Sequence, residues 1–247
     1  MADAEPVVEL LGKPDGVTRI GLVLNERGAD RAIACGVDEL GSVAVATDDF
    51  GVRNQGQNRI ESIDISKQII AKGTAGGLSA QVTISVAFGC PFAGPVDPDH
   101  VVEIAKQLAV AAPREIALAD TIGVATPIEV DNLVRKVRAA IGEIPVRVHF
   151  HNTRNTGIAN VWAAINAGAT IVDASVGGLG GCPFVPKATG NISTEDAAFT
   201  CERMGLATGI DWQTLTSAVA RAEKLLGRTL PGRMSHIPAP PEGKVNA

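Results

Sequence analysis

The chain has 247 residues, of which 45% are hydrophobic and 20% are charged. This balance supplies a sizeable core and argues against disorder, while the length suits one large domain or two small ones. The net charge of -5 and the absence of a basic run argue against binding to nucleic acid. No apolar stretch approaches the roughly 20 residues of a membrane span, and the first residues lack the regions of a signal peptide. We therefore expect a protein that contacts neither nucleic acids nor membranes.

Strand-like and helix-like segments alternate along the chain. Apolar, β-branched segments predict strands at residues 18–24, 42–47, 80–88, 116–118, 145–151 and 170–176. Helical spacing predicts helices at residues 29–35, 60–72, 101–112, 127–141, 157–167, 194–204 and 212–226. About six βα units are therefore visible, followed by C-terminal helices. We expect one domain over residues 1–236 and a loose, Pro-rich tail over residues 237–247.

The alternation fits two parallel-sheet folds, an open doubly wound sheet and a (β/α)8 TIM barrel. A dinucleotide-binding doubly wound fold would show Gly-x-Gly-x-x-Gly after its first strand, and this chain does not. Polar residues instead follow the carboxyl ends of several predicted strands, where the active site of a barrel lies. These residues are Asp120, His149, His151, Ser175 and Cys182. The sequence therefore favours a barrel.

His149 and His151 lie two residues apart on a predicted strand, so both side chains project from the same face. Two imidazoles at this spacing can bind one divalent ion, with oxygen ligands completing an octahedron. The alternative is a pair of hydrogen-bonded histidines within a strand. Asn152 and Thr153 add polar groups that a core would exclude, which favours the metal site.

Asp120 and Asn191 are further candidates. Asp120 ends an apolar strand, where a carboxylate pairs with a cation or acts as a base. The alternative for Asp120 is a helix cap or an anchor for a loop. Asn191 could bind a hard cation through its side-chain oxygen, or it could be a turn residue.

Cys182 follows a segment with four glycines in five positions, residues 177–181. Glycines permit positive φ angles and a close approach of the main chain to a ligand. A free cysteine is usually a small buried hydrophobe, but these glycines and Pro183 favour an exposed turn. The thiol there could transfer a proton or act as a nucleophile. Proton transfer is the stronger hypothesis, because both histidines are assigned to a metal.

The other cysteines carry less information. Cys90 lies in a similar Gly-Cys-Pro turn, for which we expect a role in shaping the loop. The four cysteines (Cys35, Cys90, Cys182 and Cys201) are widely spaced and form no Cys-x-x-Cys pair. That pattern predicts reduced thiols, and hence a cytoplasmic protein without a disulfide framework.

Five motifs occur along the chain in a fixed order. They are Phe88-Gly-Cys-Pro-Phe-Ala-Gly, Asp120-Thr-Ile-Gly-Val-Ala-Thr-Pro, His149-Phe-His-Asn-Thr, Gly178-Leu-Gly-Gly-Cys-Pro-Phe and Thr189-Gly-Asn-Ile-Ser-Thr-Glu-Asp. Together they resemble 3-hydroxy-3-methylglutaryl-CoA (HMG-CoA) lyases, from about residue 16 to residue 226. The resemblance implies a TIM barrel that cleaves an acyl-CoA substrate, HMG-CoA, to acetyl-CoA and acetoacetate, as in leucine degradation. It also implies a divalent ion, Mg²⁺ or Mn²⁺, and a homodimer.

By the same resemblance, His149, His151 and Asn191 would be metal ligands. The ion would hold the hydroxyl and carboxylate oxygens of the substrate. Asp120 or His149 would assist loss of the hydroxyl proton, the C2–C3 bond would break in a retro-Claisen sense, and Cys182 would protonate the acetyl-CoA enolate. A mobile glycine loop suits that last step, because it can close over the substrate and exclude water.

Members of that family begin with a strand carrying Arg-Asp-Gly-x-Gln-Asn, which supplies a metal-binding aspartate and an arginine for the enolate oxygen. The nearest string in this chain is Lys13-Pro-Asp-Gly-Val, in a predicted turn before the first strand. We therefore expect a barrel that lacks its first two βα units and has open strand edges. Either an upstream segment is absent from this chain, or the protein is a truncated and catalytically impaired relative.

Two other enzymatic functions fit the His-x-His strand. A lyase of the same family could act on another branched 3-hydroxyacyl-CoA. The sequence does not identify pocket residues that would select one of these substrates over another. A Claisen-type synthase is disfavoured, because synthases of this kind resemble one another in a Gly-Leu-Gly-Glu-Arg loop. This chain has Gly178-Leu-Gly-Gly-Cys-Pro at that place.

Overall fold

The computed structural model describes residues 3–181 and 190–238. Within these ranges the strands form one sheet, in which consecutive strands are neighbours and every pair is parallel. The strands are β1 (Ile20–Leu22), β2 (Glu39–Val45), β3 (Ser79–Ser85), β4 (Ile116–Asp120), β5 (Val146–Phe150) and β6 (Ile171–Asp173). This uninterrupted order is that of a barrel wall, because the strand order of a doubly wound sheet reverses at its switch point.

Helices follow the strands along the chain. Those in the described ranges are α1 (Ala4–Leu11), α2 (Glu26–Ala34), α3 (Asp48–Gln55), α4 (Arg59–Ala75), α5 (Pro98–Ala109), α6 (Pro127–Ile141), α7 (Gly157–Asn166), α8 (Thr194–Arg203) and α9 (Trp212–Leu226). Local sequence explains their starts: Asn58 and Glu61 form a capping box on α4, and Pro127 opens α6. None of these helices is long and apolar enough to cross a membrane.

The hydrophobic core lies between the sheet and the helices. Successive strand residues point to opposite faces, so one set of alternate residues enters this core. On the central strands that set includes Val82, Ile84, Leu118, Val148 and Phe150. The other set, which includes Thr83, Ala119, Arg147 and His149, lines the opposite face. The same strands therefore build an apolar core on one side and a polar wall on the other.

The polar wall is concave and bounds a cavity of about 350 Å³. Within the described ranges β1 and β6 each pair with one neighbour, so the sheet is a half-barrel with one open side. Ile20 and Leu22 of β1 line the cavity and are 48% and 54% exposed. The structure thus confirms the predicted incomplete barrel and its open strand edge.

Two helices were not predicted. Helix α1 has no buried residue, and α3 buries only Phe50 and Gly51. Each of the two has only eight residues, fewer than the window of about 11–18 residues in which helical periodicity is recognised. The predicted third strand also extended too far, to residue 88, whereas β3 ends at Ser85. The next residue, Val86, has a φ of 53°, which no extended strand adopts.

The predicted loose tail begins at residue 237, and only its first two residues are described. The segment before it is fixed to α8, where the Asp196 carboxylate accepts hydrogen bonds from the backbone N–H groups of Arg233 and Met234 at 2.8–3.0 Å. The Glu195 carboxylate accepts one from the Ser235 hydroxyl at 2.8 Å. The division of the chain into a domain and a tail stays a prediction.

Candidate active site

Strand β5 positions the two histidines. His149 and His151 both line the cavity, and their ring centroids lie 5.3 Å apart. The side chain of His149 is partly exposed, while His151 is buried. Two-residue spacing has therefore brought both imidazoles to one wall of the cavity, as the sequence predicts.

The buried imidazole of His151 is held in its neutral form. Its pKa is lowered to about 4, chiefly because burial disfavours the charged ring and also through the electrostatic influence of His149, while a hydrogen bond with the backbone of Thr121 opposes the shift. Its Nδ1 atom is inaccessible to water and has no hydrogen-bond partner among the described residues. A neutral imidazole with an unpartnered nitrogen is the form that binds a metal ion.

The ring of His149 has a carboxylate partner. Its Nδ1 lies 3.3 Å from Oδ2 of Asp173, the residue opposite it on β6. The other oxygen of Asp173 accepts a hydrogen bond from Nη1 of Arg147 at 3.2 Å. One nitrogen of His149, Nε2, remains for chemistry in the cavity.

Asn191 lies beside His151 across an isolated antiparallel bridge. Its Nδ2 donates a hydrogen bond to the carbonyl of Leu179 at 3.0 Å. Its Oδ1 is inaccessible to water and accepts no hydrogen bond from the residues that the structure describes. The fold has therefore brought Asn191 to His151, although these two residues are far apart in the chain.

The side chains of His151 and Asn191 fit a divalent cation in one respect. His151 Nδ1 and Asn191 Oδ1 are buried acceptors without donors, and such atoms are costly unless an ion or water satisfies them. In the described ranges no group of three or more His, Cys, Asp or Glu side chains is arranged to hold a metal. Any ion bound here would therefore also need oxygen ligands of other kinds, such as the Asn191 amide oxygen and oxygens of the substrate or of water.

Gly180 and Gly190 flank the cysteine-bearing segment, residues 181–189, and bring its two ends to this site. A Cβ on Gly190 would lie 2.6 Å from the carbonyl of Gly180, so only glycine permits this approach of the two backbones. A Cβ on Gly180 would lie 2.6 Å from Asn191 Nδ2. The predicted proton donor, Cys182, lies outside the described residues.

Asp120 lies at the rim but turns away from the histidines. It pairs in register with Phe150, whereas its neighbour Ala119 pairs with His149. Its side chain is 0% exposed, and its two oxygens each accept a backbone N–H, from Val124 and Ala125, at 2.9 Å. Burial raises its pKa, while these hydrogen bonds lower it. The geometry favours the loop-anchoring alternative, and a direct catalytic role of Asp120 stays a prediction.

Sequence reasoning missed Asp173, which contacts His149, and Arg147, which contacts Asp173. Their signal was present, because Arg147 precedes His149 by two residues and therefore shares its face. Cys90 has the expected loop-shaping contacts: its sulfur accepts hydrogen bonds from Thr47 Oγ1 at 3.1 Å and from the backbone N–H groups of Phe92 and Ala93 at 3.3–3.4 Å.

Comparison with known sequences identifies related enzymes. The family described as HMGL-like matches residues 2–221. A hydroxymethylglutaryl-CoA lyase of Bacillus subtilis is 33% identical over 94% of this chain and 78% of its own length. An (R)-citramalyl-CoA lyase of Chloroflexus aurantiacus is 40% identical over 85% of this chain and 66% of its own length. The chain thus spans about two thirds to three quarters of these relatives.

Solved structures agree with this relationship. The HMG-CoA lyase of Bacillus subtilis matches with a TM-score of 0.90 and 33% identity, over 95% of this chain and 79% of that one. An HMG-CoA lyase of Acinetobacter baumannii, in complex with coenzyme A and 3-methylmalate, matches with a TM-score of 0.89 and 33% identity, over 97% and 80% of the two chains. These matches confirm the predicted resemblance, and the chain belongs to the HMGL-like family.

Proposed function

We propose that this chain is a carbon–carbon lyase that cleaves HMG-CoA to acetyl-CoA and acetoacetate. The observation that carries the proposal is the position of His149 and His151 on one cavity at the carboxyl end of β5, with Asn191 bridged to His151. Identity of 33% over 94% of the chain to a hydroxymethylglutaryl-CoA lyase supports the same reaction. The complex of a related lyase with coenzyme A supports an acyl-CoA substrate.

His151 and Asn191 would hold a divalent cation, Mg²⁺ or Mn²⁺, through their unpartnered atoms, and His149 would be the third ligand through Nε2. Such an ion supplies Lewis acidity toward the hydroxyl and carboxylate oxygens of the substrate. His149 has a single free nitrogen, so coordination and acceptance of the hydroxyl proton are alternatives for it. Asp120 is the less favoured proton acceptor, because both of its oxygens already accept backbone N–H groups.

Cys182 would donate the proton that the acetyl-CoA enolate needs after the C2–C3 bond breaks. In support, the neighbouring residues Gly180 and Gly190 meet beside Asn191, so both ends of the cysteine-bearing segment start from the proposed site. We therefore assign the proton to Cys182, the cysteine that the sequence places in this segment.

The test is acetoacetate formation from HMG-CoA by the purified chain with Mn²⁺, with the Bacillus subtilis lyase as the reference enzyme. We expect turnover that is abolished by Cys182→Ala and by His151→Ala. The matched control is Cys35→Ala, which removes a thiol that does not line the cavity. Absence of turnover, with the reference enzyme active in parallel, would overturn the proposal. Retained Mn²⁺ binding in that case would indicate the catalytically impaired family member.

A second candidate substrate is (R)-citramalyl-CoA. The observation that favours it is the 40% identity to the Chloroflexus aurantiacus enzyme, compared with 33% for the Bacillus subtilis relative. Both substrates are branched 3-hydroxyacyl-CoA esters, so the residues proposed for bond cleavage serve either one. The ratio of kcat/KM for the two thioesters decides between them. A homodimer and a cytoplasmic location stay predictions from the sequence.

A further inference from the structure

Arg147 is a nearly buried cation on the polar wall. It is 8% exposed and lies on β5 two residues before His149, on the same face. Its guanidinium donates hydrogen bonds to Thr83 Oγ1 at 3.0 Å and to Asp173 Oδ1 at 3.2 Å, and its Nε lies 3.3 Å from Glu115 Oε1. A buried guanidinium with partners on β3, on β6 and just before β4 has a single orientation.

Asp173 is the link between this guanidinium and His149. Its Oδ1 faces Arg147, and its Oδ2 lies 3.3 Å from His149 Nδ1. Because each oxygen has a different partner, rotation of the carboxylate about its Cβ–Cγ bond would break both contacts. Arg147 therefore holds the Asp173 carboxylate in place, with Oδ2 toward the imidazole.

We propose that Arg147 and Asp173 are positioning residues that hold His149 as the Nδ1–H tautomer, with Nε2 unprotonated toward the cavity. An ionised carboxylate is an acceptor only, so it selects the tautomer that carries the proton on Nδ1. The same arrangement orients the histidine ligands of metal sites and increases their basicity. The inference deepens the proposed function and rests on it for its catalytic meaning, because Nε2 is the nitrogen that would bind the cation or accept the hydroxyl proton.

A purely structural role for the cluster has different consequences. Arg147 would then only compensate the charges of Glu115 and Asp173, and its loss would lower stability without changing the imidazole. The protonation of the two ring nitrogens of His149 distinguishes the two roles, because it responds to the direction of the carboxylate and not to global stability.

The test is ¹⁵N NMR of the imidazole nitrogens in the metal-free chain, in mildly alkaline solution. We expect His149 to be mainly the Nδ1–H tautomer in the unsubstituted protein. Asp173→Asn should move it toward the Nε2–H tautomer, since the amide can donate to Nδ1. Arg147→Met should randomise the tautomers, and Arg147→Lys should restore part of the preference. Arg135→Met is the matched control, because its partner Asp131 lies on the same exposed helix.

Metal affinity is the second readout. Loss of an outer-shell carboxylate costs about 10–100-fold in metal affinity, so Asp173→Asn should weaken Mn²⁺ binding by that factor while Arg135→Met leaves it unchanged. A mainly Nε2–H ring in the unsubstituted protein, or an unchanged tautomer in Asp173→Asn, overturns the inference even if the lyase is active. The expected tautomers in a chain without lyase activity uphold the inference and count against the proposed function alone. If Arg147→Met does not fold, the near-isosteric Asp173→Asn decides.

Discussion

Replacing Gly180 by alanine tests whether the glycine segment positions Asn191. Gly180 has a φ of +139°, which L-residues rarely adopt, and an added Cβ would lie 2.6 Å from Asn191 Nδ2. That nitrogen donates to the Leu179 carbonyl at 3.0 Å, so the methyl group must displace the amide or the backbone. The strained backbone costs about 1–3 kcal/mol, and loss of the hydrogen bond costs about 0.5–1.5 kcal/mol more.

We therefore expect Gly180→Ala to lower the free energy of unfolding by about 1.5–4.5 kcal/mol, from these two costs together. We also expect Mn²⁺ to bind about tenfold more weakly or worse, because Asn191 would no longer hold its oxygen beside His151. Urea denaturation and isothermal calorimetry measure the two effects. Gly181→Ala is the matched control, since a Cβ there meets no atom of the described residues within 4 Å. Equal behaviour of the two variants would refute the reasoning.

Three further predictions concern stability. Phe150→Ala should lower the free energy of unfolding by about 3–5 kcal/mol in urea denaturation, because the ring is 0% exposed; a loss below 1 kcal/mol would contradict its core role. The Arg19 guanidinium holds the pKa of Asp38 well below its usual range. Asp38 should therefore stabilise the fold above its unfolded pKa and lose that effect on acidification, a pH dependence of unfolding that Asp38→Asn should reduce. The Glu223 carboxylate raises the pKa of His236. This contact should stabilise the fold fully below the unfolded pKa and fade as the pH rises through the folded one, and His236→Gln should remove that dependence from thermal unfolding curves.

The placement of His149 and His151 on one face could be predicted from the sequence because it depends on local geometry. Residues i and i+2 of a strand share a face wherever the strand lies, so the cofacial placement of His149 and His151 follows from their spacing alone. The six strands were located for a similar reason, since buried parallel strands are short apolar runs between helices. Helices α1 and α3 were missed because each has only eight residues, fewer than the window of about 11–18 residues in which helical periodicity is recognised.

The orientation of Asp120 could not be read in this way. As the last residue of a strand, Asp120 could face either the cavity or the loop that follows the strand. Its register with Phe150 and its hydrogen bonds from the N–H groups of that loop turn it toward the loop. Arg147 was equally ambiguous, because an arginine on a strand is usually a solvated surface residue. Its three partners come from β3, β6 and the residue before β4. No local sequence pattern predicts contacts between segments so far apart in the chain.

Residue identity and short spacings were sufficient to predict the family, the alternation of strands and helices, and the motifs that carry His149, His151, Asn191 and Cys182. Such local features can be recognised along the chain without knowledge of the fold. The bridge between Asn191 and His151 and the contact of Asp173 with His149 became visible only in the folded chain. Those contacts join segments tens of residues apart, and they exist because parallel strands in sequential register bring their carboxyl ends to one rim.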